Sequence, residues 1–260
     1  MFEKFQQYRQ ALHLPQKNKT SQISQFHFEW VNDLNTLRQV QQFRAEQFSQ
    51  QFAIRFTQNT DQDMYDFDCE HAVLRDAISG EIVAYTRLKK FNGDELQYSY
   101  SAQEFNILPQ LQHLKNIVEI GRTCVHQRYR CSRALSLLWM HLLPRILIDL
   151  RAKYLIGCVS IHLQDNQARV YHTHQYLQSL AEQQQIDIRS KQAYEPTYPE
   201  FSFAQDERIP KLFDLYLRMN AQLSPHAFFD VNFNCLDYFV FLPTAQLKKS
   251  TKFKQIQKHR

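Results

Sequence analysis

The run "ALSLLWMHLLPRILIDL" (134–150) constrains this chain most, because it is the most apolar stretch and lies between two strand-like runs, "NIVEIGRTCVH" (116–126) and "KYLIGCVSIH" (153–162). It carries His141, Pro144, Arg145 and Asp149 and falls short of the ~20 apolar residues that a membrane-spanning helix needs. It therefore reads as a buried helix from about Ser132 to Leu150 between two strands. Other elements fit around this unit. "SQFHFEWV" (24–31) alternates as a strand, and Leu34, Leu37, Val40, Phe43 and Phe48 recur mainly at helical spacing over 32–52. "HAVLRDAISGEIVAYTRLKKF" reads as strand, turn at Ser79-Gly80, strand; Asn92-Gly93 marks a further turn. Helices are expected over 167–184 and 207–223, the latter with Pro210 near its start, and a closing strand over 237–243. The order predicts an α/β (α+β) protein with one mixed sheet flanked by helices.

With 260 residues, 43% of them hydrophobic and 22% charged, the chain can bury a sizeable core in one large domain. Its net charge of +5 is uneven: Lys248 to Arg260 hold six Lys/Arg and no acid, leaving 25 − 26 = −1 on the rest. Such a basic tail suits an acidic macromolecule, an anionic membrane face or nucleic acid, and equally a solvated terminus. The five cysteines (Cys69, Cys124, Cys131, Cys158, Cys235) are odd in number and lack a C-x-x-C pair, so a reducing cytoplasm is expected. "MFEKFQQYRQ" shows no secretory leader.

Three clusters could carry chemistry. Arg44 and Phe48 in "FRAEQF" share a helix face; read separately, they are a solvated charge and a core ring. "DQDMYDFDCEH" (61–71) is acidic but fails as a calcium loop, because Asp66 and Ala72 stand where that loop requires Gly and Glu. It is either an acidic surface loop or a site for a cationic substrate. "VEIGRTCVHQRYR" (118–130) places Glu119 and Arg122 around Gly121 and runs into a basic turn. A bulge at Gly121 would bring the two side chains to one pocket and free an N–H for an oxyanion. The turn beside Arg128, Arg130 and Arg133 suits a phosphate. A core strand with an exposed basic turn is the plain alternative. His172 and His174 in "YHTHQY" face apart on a helix, so no metal site is expected, and Cys124 with His126 lacks an orienting third group for a thiol nucleophile.

Read in order, Arg44-x-x-x-Phe48, Asp63-x-x-Asp66, Thr86-Arg87-Leu88 and Glu119-Ile120-Gly121-Arg122 resemble the pattern of acyl-carrier-protein-dependent acyltransferases of the GNAT superfamily. Acyl-homoserine lactone synthases form one branch. The bacterial L-ornithine Nα-acyltransferases form the more similar one, on "VEIGRTCVHQRYR", "LLW" (137–139), "LIGCVS" (155–160), "IPKLFDLYLRM" and "DVNFNCLDYFVFLP" (230–243). The resemblance spans roughly residues 30–243, within a single domain of 1–247 followed by the tail 248–260. Where GNAT domains place a glycine-containing pyrophosphate turn, this chain has "RCSRAL" (130–135), which agrees better with a carrier-protein donor than with acetyl-CoA in its usual pose.

The resemblance implies a splayed GNAT-like sheet and transfer of a (3-hydroxy)fatty acyl group from acyl carrier protein to the α-amine of ornithine, giving lyso-ornithine lipid. Glu119 would act as general base, and Gly121 and Arg122 would stabilise the oxyanion. Arg44, Asp63, Asp66 and Arg87 would bind the amino acid, unless these charges form one structural network. Phe43, Phe48, Trp139 and Ser160 are candidates for the acyl and phosphopantetheine path, with Arg122, Thr123, Cys124, Val125, Arg128, Arg130 and Arg133. No cofactor beyond the donor's phosphopantetheine is expected. The partners expected are acyl carrier protein and ornithine or a similar amine, with contact at an anionic inner membrane face left open and nucleic acid disfavoured. Alternatives are another acceptor amine, such as lysine or a homoserine-lactone precursor, and a non-catalytic module binding carrier protein, anionic lipid or RNA.

Overall fold

A computed structural model describes residues 25–130, 133–163, 167–181, 184, 186–197 and 211–245. The basic tail, Cys131 and Pro210 lie outside the described residues. In chain order the strands and α-helices are β1 (Phe26–Trp30), α1 (Leu34–Phe52), β2 (Glu70–Asp76), β3 (Ile82–Phe91), α2 (Ser101–Glu104) and α3 (Leu108–Leu111). They continue with β4 (Ile117–Val125), α4 (Ala134–Pro144), β5 (Tyr154–His162), α5 (Gln167–Ala181), β6 (Ala193–Tyr194) and α6 (Lys211–Arg218). The chain closes on β7 (Gln222–Leu223), β8 (Ala227–Asp230) and β9 (Cys235–Pro243). The mixed α/β class expected from the sequence is the class found.

Among the described residues two compact units are distinguished: those within 25–89 and 120–152, and those within 90–119 and 153–245. In the first, β1, β2 and β3 pair antiparallel in that order. Asp33 starts α1 by accepting from the Thr36 N–H (2.9 Å) and hydroxyl (2.7 Å), and Ala53 ends it in the left-handed region. Asp76 accepts from the N–H groups of Ile78 and Ser79, and Gly80 takes the positive φ of 72° that the β2–β3 turn requires. Helix α4 packs on β1 and β2 through a buried face that includes Leu138, Trp139 and Leu142. Pro144 has no N–H to give, and the last turn widens into a π-segment, Arg145–Asp149, closed by Leu150 N–H to the Arg145 carbonyl.

In the second unit, residues 117–119 of β4 pair in parallel with Tyr154–Ile156 of β5, β5 pairs antiparallel along its whole length with β9, and β9 pairs with β8 and with the short β7. Strand β6 extends the sheet beyond β8. Residues directly paired share a face. One face therefore carries Ile117 and Glu119 from β4, Ile156, Cys158 and Ser160 from β5, Asp237 and Phe239 from β9, and Asp230 from β8. Ile117, Ile156 and Phe239 there pack with Leu96, Phe105 and Ile107, each such side chain stabilising the fold by roughly 1.5–3 kcal/mol when fully buried. The other end of that face is polar. Sequence periodicity did not resolve α2, α3, β6, β7 or β8, which are each too short to show a period.

Candidate active site

Arg44 is wholly buried on α1, so it is not the solvated helix charge that its position on a helix allowed. Its guanidinium grips Asp66 with two nitrogens (2.6 and 2.9 Å), meets the Asp61 carboxylate at 2.9 Å, and donates to the Asp61 carbonyl and to the Tyr85 hydroxyl. Arg87 on β3 holds Asp63 with two nitrogens (2.5 and 2.7 Å) and reaches Asp66 at 2.7 Å. Arg122 adds contacts to Asp63 (3.1 Å) and Asp61 (3.4 Å). Three carboxylates thus face three guanidiniums, and the cluster neutralises itself.

Burial alone would raise Asp66; the hydrogen bond and charge of Arg44, joined by Arg87, hold it far below the usual carboxylate range. Asp63 is also lowered, with the bonds and charges of Arg87 and Arg122 outweighing burial. His71 bonds the Asp66 carbonyl through Nε2 (2.8 Å) and Tyr85 through Nδ1 (2.7 Å). A carbonyl only accepts, so Nε2 carries the proton and the Tyr85 hydroxyl donates to Nδ1. Burial, with the Arg44 and Arg87 charges, keeps His71 neutral by lowering its pKa. Only Asp63 and Arg122 of the six charged side chains expose more than a tenth of their surface, at 19% and 14%. They form the cluster's accessible rim.

The strand carrying Arg122 does break its regular geometry, though one residue later than the glycine suggested. Arg122 itself holds a φ of 52°, which costs a side chain about 1–3 kcal/mol. A Cβ placed on Gly121 would meet only Arg87 Nε at 3.9 Å, an ordinary contact. Thr86 donates to the Gly121 carbonyl (3.2 Å) and shares a hydrogen bond with Thr123 (2.8 Å). Cys124 is buried, and burial pushes its thiol far up, which leaves it neutral and inert as a nucleophile. Val125 accepts from Arg130 Nε (3.3 Å). Arg128, Arg130 and Arg133 are exposed around the start of α4, Arg128 against Glu81 at 2.5 Å. Phe43, Phe48 and Trp139 are buried core rings.

Glu119 lies in the second unit. Its Oε2 accepts from the Tyr100 N–H (2.9 Å), and its Oε1 from the Ser101 N–H (2.7 Å) and hydroxyl (2.6 Å). The carboxylate thereby caps the first turn of α2. Ser160 stands opposite Asp237 on the same face. Sequence reasoning missed the acids gathered there: Glu104, Asp230 and Asp237, exposed by 3%, 6% and 3%. Asp230 accepts from the Asn232 and Phe233 N–H groups (2.8 and 3.0 Å) and from the Tyr100 hydroxyl (3.5 Å). Cys235 donates to Asp237 (3.4 Å), Cys158 reaches the Ser101 hydroxyl (3.7 Å), and Tyr100, Cys158 and Asp237 are the hydrogen-bonding neighbours of Glu104. Burial and the Asp237 charge raise Glu104 well above the carboxylate range, and burial raises Asp237 in turn. An acid inside the apolar run "CLDYFVFLP" is the same kind of signal as Glu119 in "VEIG" and could have exposed Asp237. Nothing in "SAQEF" marks Glu104.

A family model described as an acetyltransferase (GNAT) domain matches residues 40–140, the segment holding Arg44, Asp63, Asp66, Arg87, Glu119 and Arg122. The L-ornithine N(alpha)-acyltransferase of Rhodobacter capsulatus is 28% identical over 203 residues, 72% of this chain and 76% of that protein. The protein of the same name from Brucella abortus is 26% identical over 239 residues, 79% of this chain and 78% of its own. The chain is an acyltransferase with a GNAT domain match over residues 40–140. This acyltransferase also shares its fold with FeeM, an N-acyl amino acid synthase from uncultured soil microbes, at a TM-score of 0.52 and 10% identity, with 89% and 97% of the two chains covered. Among its described residues, no helix is long and apolar enough to cross a membrane.

Proposed function

We propose that this acyltransferase moves a fatty acyl group from the phosphopantetheine thioester of an acyl carrier protein to the α-amine of ornithine, forming an N-acyl-ornithine. The observation carrying this reading is the similarity to two L-ornithine N(alpha)-acyltransferases over about three quarters of each chain. In the reaction the amine nitrogen attacks the thioester carbonyl, the C–S bond breaks, and the pantetheine thiol leaves with a proton. Glu119, held by Tyr100 and Ser101, is the carboxylate this reading uses to take the amine's proton, directly or through water. The cationic turn of Arg128, Arg130 and Arg133 would dock an acidic carrier protein.

The test is incubation of the purified chain with a 3-hydroxyacyl carrier protein and ornithine, following free thiol and product mass together. Ornithine-dependent thiol release with an N-acyl-ornithine formed is the expected result. Release that needs lysine or another amine would keep the reaction class and replace the acceptor. A folded protein inert with every amine and acyl donor would overturn the reading.

A further inference from the structure

The two acidic clusters of this chain differ in one respect. Asp61, Asp63 and Asp66 are matched by Arg44, Arg87 and Arg122. Glu104, Asp230 and Asp237 make no ion pair with any Lys, Arg or His among the described residues. The Lys191 ammonium, which reaches α2, is bonded instead to the Ala102 carbonyl (2.6 Å). No N–H or hydroxyl among the described residues donates to the buried Glu104 Oε2; its polar neighbours are the Asp237 carboxyl, with which Glu104 shares a proton, and the Asp230 charge. Buried acceptors without donors are costly and rare, and beside a shared proton a bound cationic ligand is one of the few ways to satisfy them. Cys158 and Ser160, on the same sheet face, are only half-buried, so the cluster is not sealed.

We propose that Glu104, Asp230 and Asp237 form a pocket for a primary ammonium group, and that it holds the side-chain ammonium of the acceptor amino acid. The assignment to the acceptor rests on the acyl-transfer reading above. An ammonium brings one positive charge and three N–H donors, which matches three converging carboxyl groups of which one has an unused oxygen. The Asp63–Asp66 cluster cannot serve this purpose, because its own arginines already neutralise it. A metal ion fits less well: Asp230, Cys235 and Asp237 offer atoms within 4.8 Å of one another, but a thiol must ionise to bind a metal. Burial and the neighbouring carboxylates oppose that at Cys235. The pocket would make the acyltransferase select a diamino acid over a monoamino acid of the same length.

The experiment compares ornithine with 2-aminopentanoate, which is ornithine without its δ-amine, on the full chain. Calorimetric binding without acyl donor and kcat/KM with acyl carrier protein are both read. Ornithine should be favoured about tenfold or more in both, the usual effect of charge-assisted hydrogen bonds in a buried site. Asp237→Asn and Glu104→Gln, both isosteric, should each collapse that ratio, mainly through KM for ornithine. Equal binding of the two amino acids by the wild-type chain, which needs no variant, would overturn the pocket. So would a ratio that survives both substitutions. Selective ornithine binding without acyl transfer would keep the pocket and sink the acyl-transfer reading; acyl transfer without selectivity would do the reverse.

Discussion

Arg44 sits where a helix pattern places a core residue, and its charge survives there because five polar contacts replace the water it lost. Removing one partner of a buried pair strands the other, at a cost of about 3–5 kcal/mol. Arg44→Met should therefore lose stability on that scale in urea titration, and the double variant Arg44→Met/Asp66→Leu should recover part of it. A single-variant loss below about 1 kcal/mol would mean the network contributes little. The two acidic clusters also oppose each other in pH. Asp63 and Asp66 have depressed pKa values, so their contribution is complete above the unfolded value of 3.8 and fades as pH falls below it. Glu104 and Asp237 have raised values, so they bind more protons folded than unfolded, and stability declines as pH rises above 3.8–4.5. Glu104→Gln should thus stabilise the ligand-free chain at pH 8 relative to pH 4; thermal melts across that range would show it, and a parallel shift at both pH values would refute it.

At the scale of elements, Glu119 links β4 to the start of α2, and this complicates its use as a test of chemistry. Both of its oxygens accept from backbone N–H groups. Glu119→Gln must turn an amide NH2 toward one of those donors, at a cost of about 1–3 kcal/mol. Turnover should fall further than the folded fraction if the carboxylate also takes the amine's proton; circular dichroism and single-turnover rates on the same sample separate the two effects. Trp139, buried in α4 against β1 and β2, should cost about 3–5 kcal/mol as Trp139→Ala. A tunnel role would require, in addition, a change in acyl-length preference in Trp139→Phe. Gly121→Ala should be nearly neutral to folding, since only Arg87 Nε lies near and the left-handed residue is Arg122.

For the whole molecule, the exposed Arg128, Arg130 and Arg133 predict that docking of an acidic partner weakens with salt. Reversing two of them to Glu should raise KM for acyl carrier protein about tenfold at low ionic strength, and less at high salt. An unchanged KM would remove the basic turn from docking. Much of the architecture was legible in the sequence, because long elements declare themselves through period and length. The α1 stripe from Val40 to Phe48, the β2–β3 hairpin at Gly80, and the β4–α4–β5 unit around the run 134–150 all form where the pattern puts them. The candidate residues Arg44, Asp63, Asp66, Arg87 and Arg122 could be named one by one through the resemblance to a known motif pattern; by their local surroundings Arg44 reads as a solvated charge and Asp63 and Asp66 as an acidic surface loop. Their pairing could not be read, because an ion pair is set by distances among α1, the 61–67 turn, β3 and β4, and one-dimensional spacing does not encode those distances. The Glu104–Asp230–Asp237 cluster shows the same limit more sharply: its members lie up to 133 positions apart (237 − 104). Only the β5–β9 and β8–β9 registers, with α2 on β5, bring their carboxyl groups together. The sequence determined where the long helices and strands lie, because their period shows over many residues; tertiary pairing alone decided that one set of acids is neutralised by arginine and the other is not.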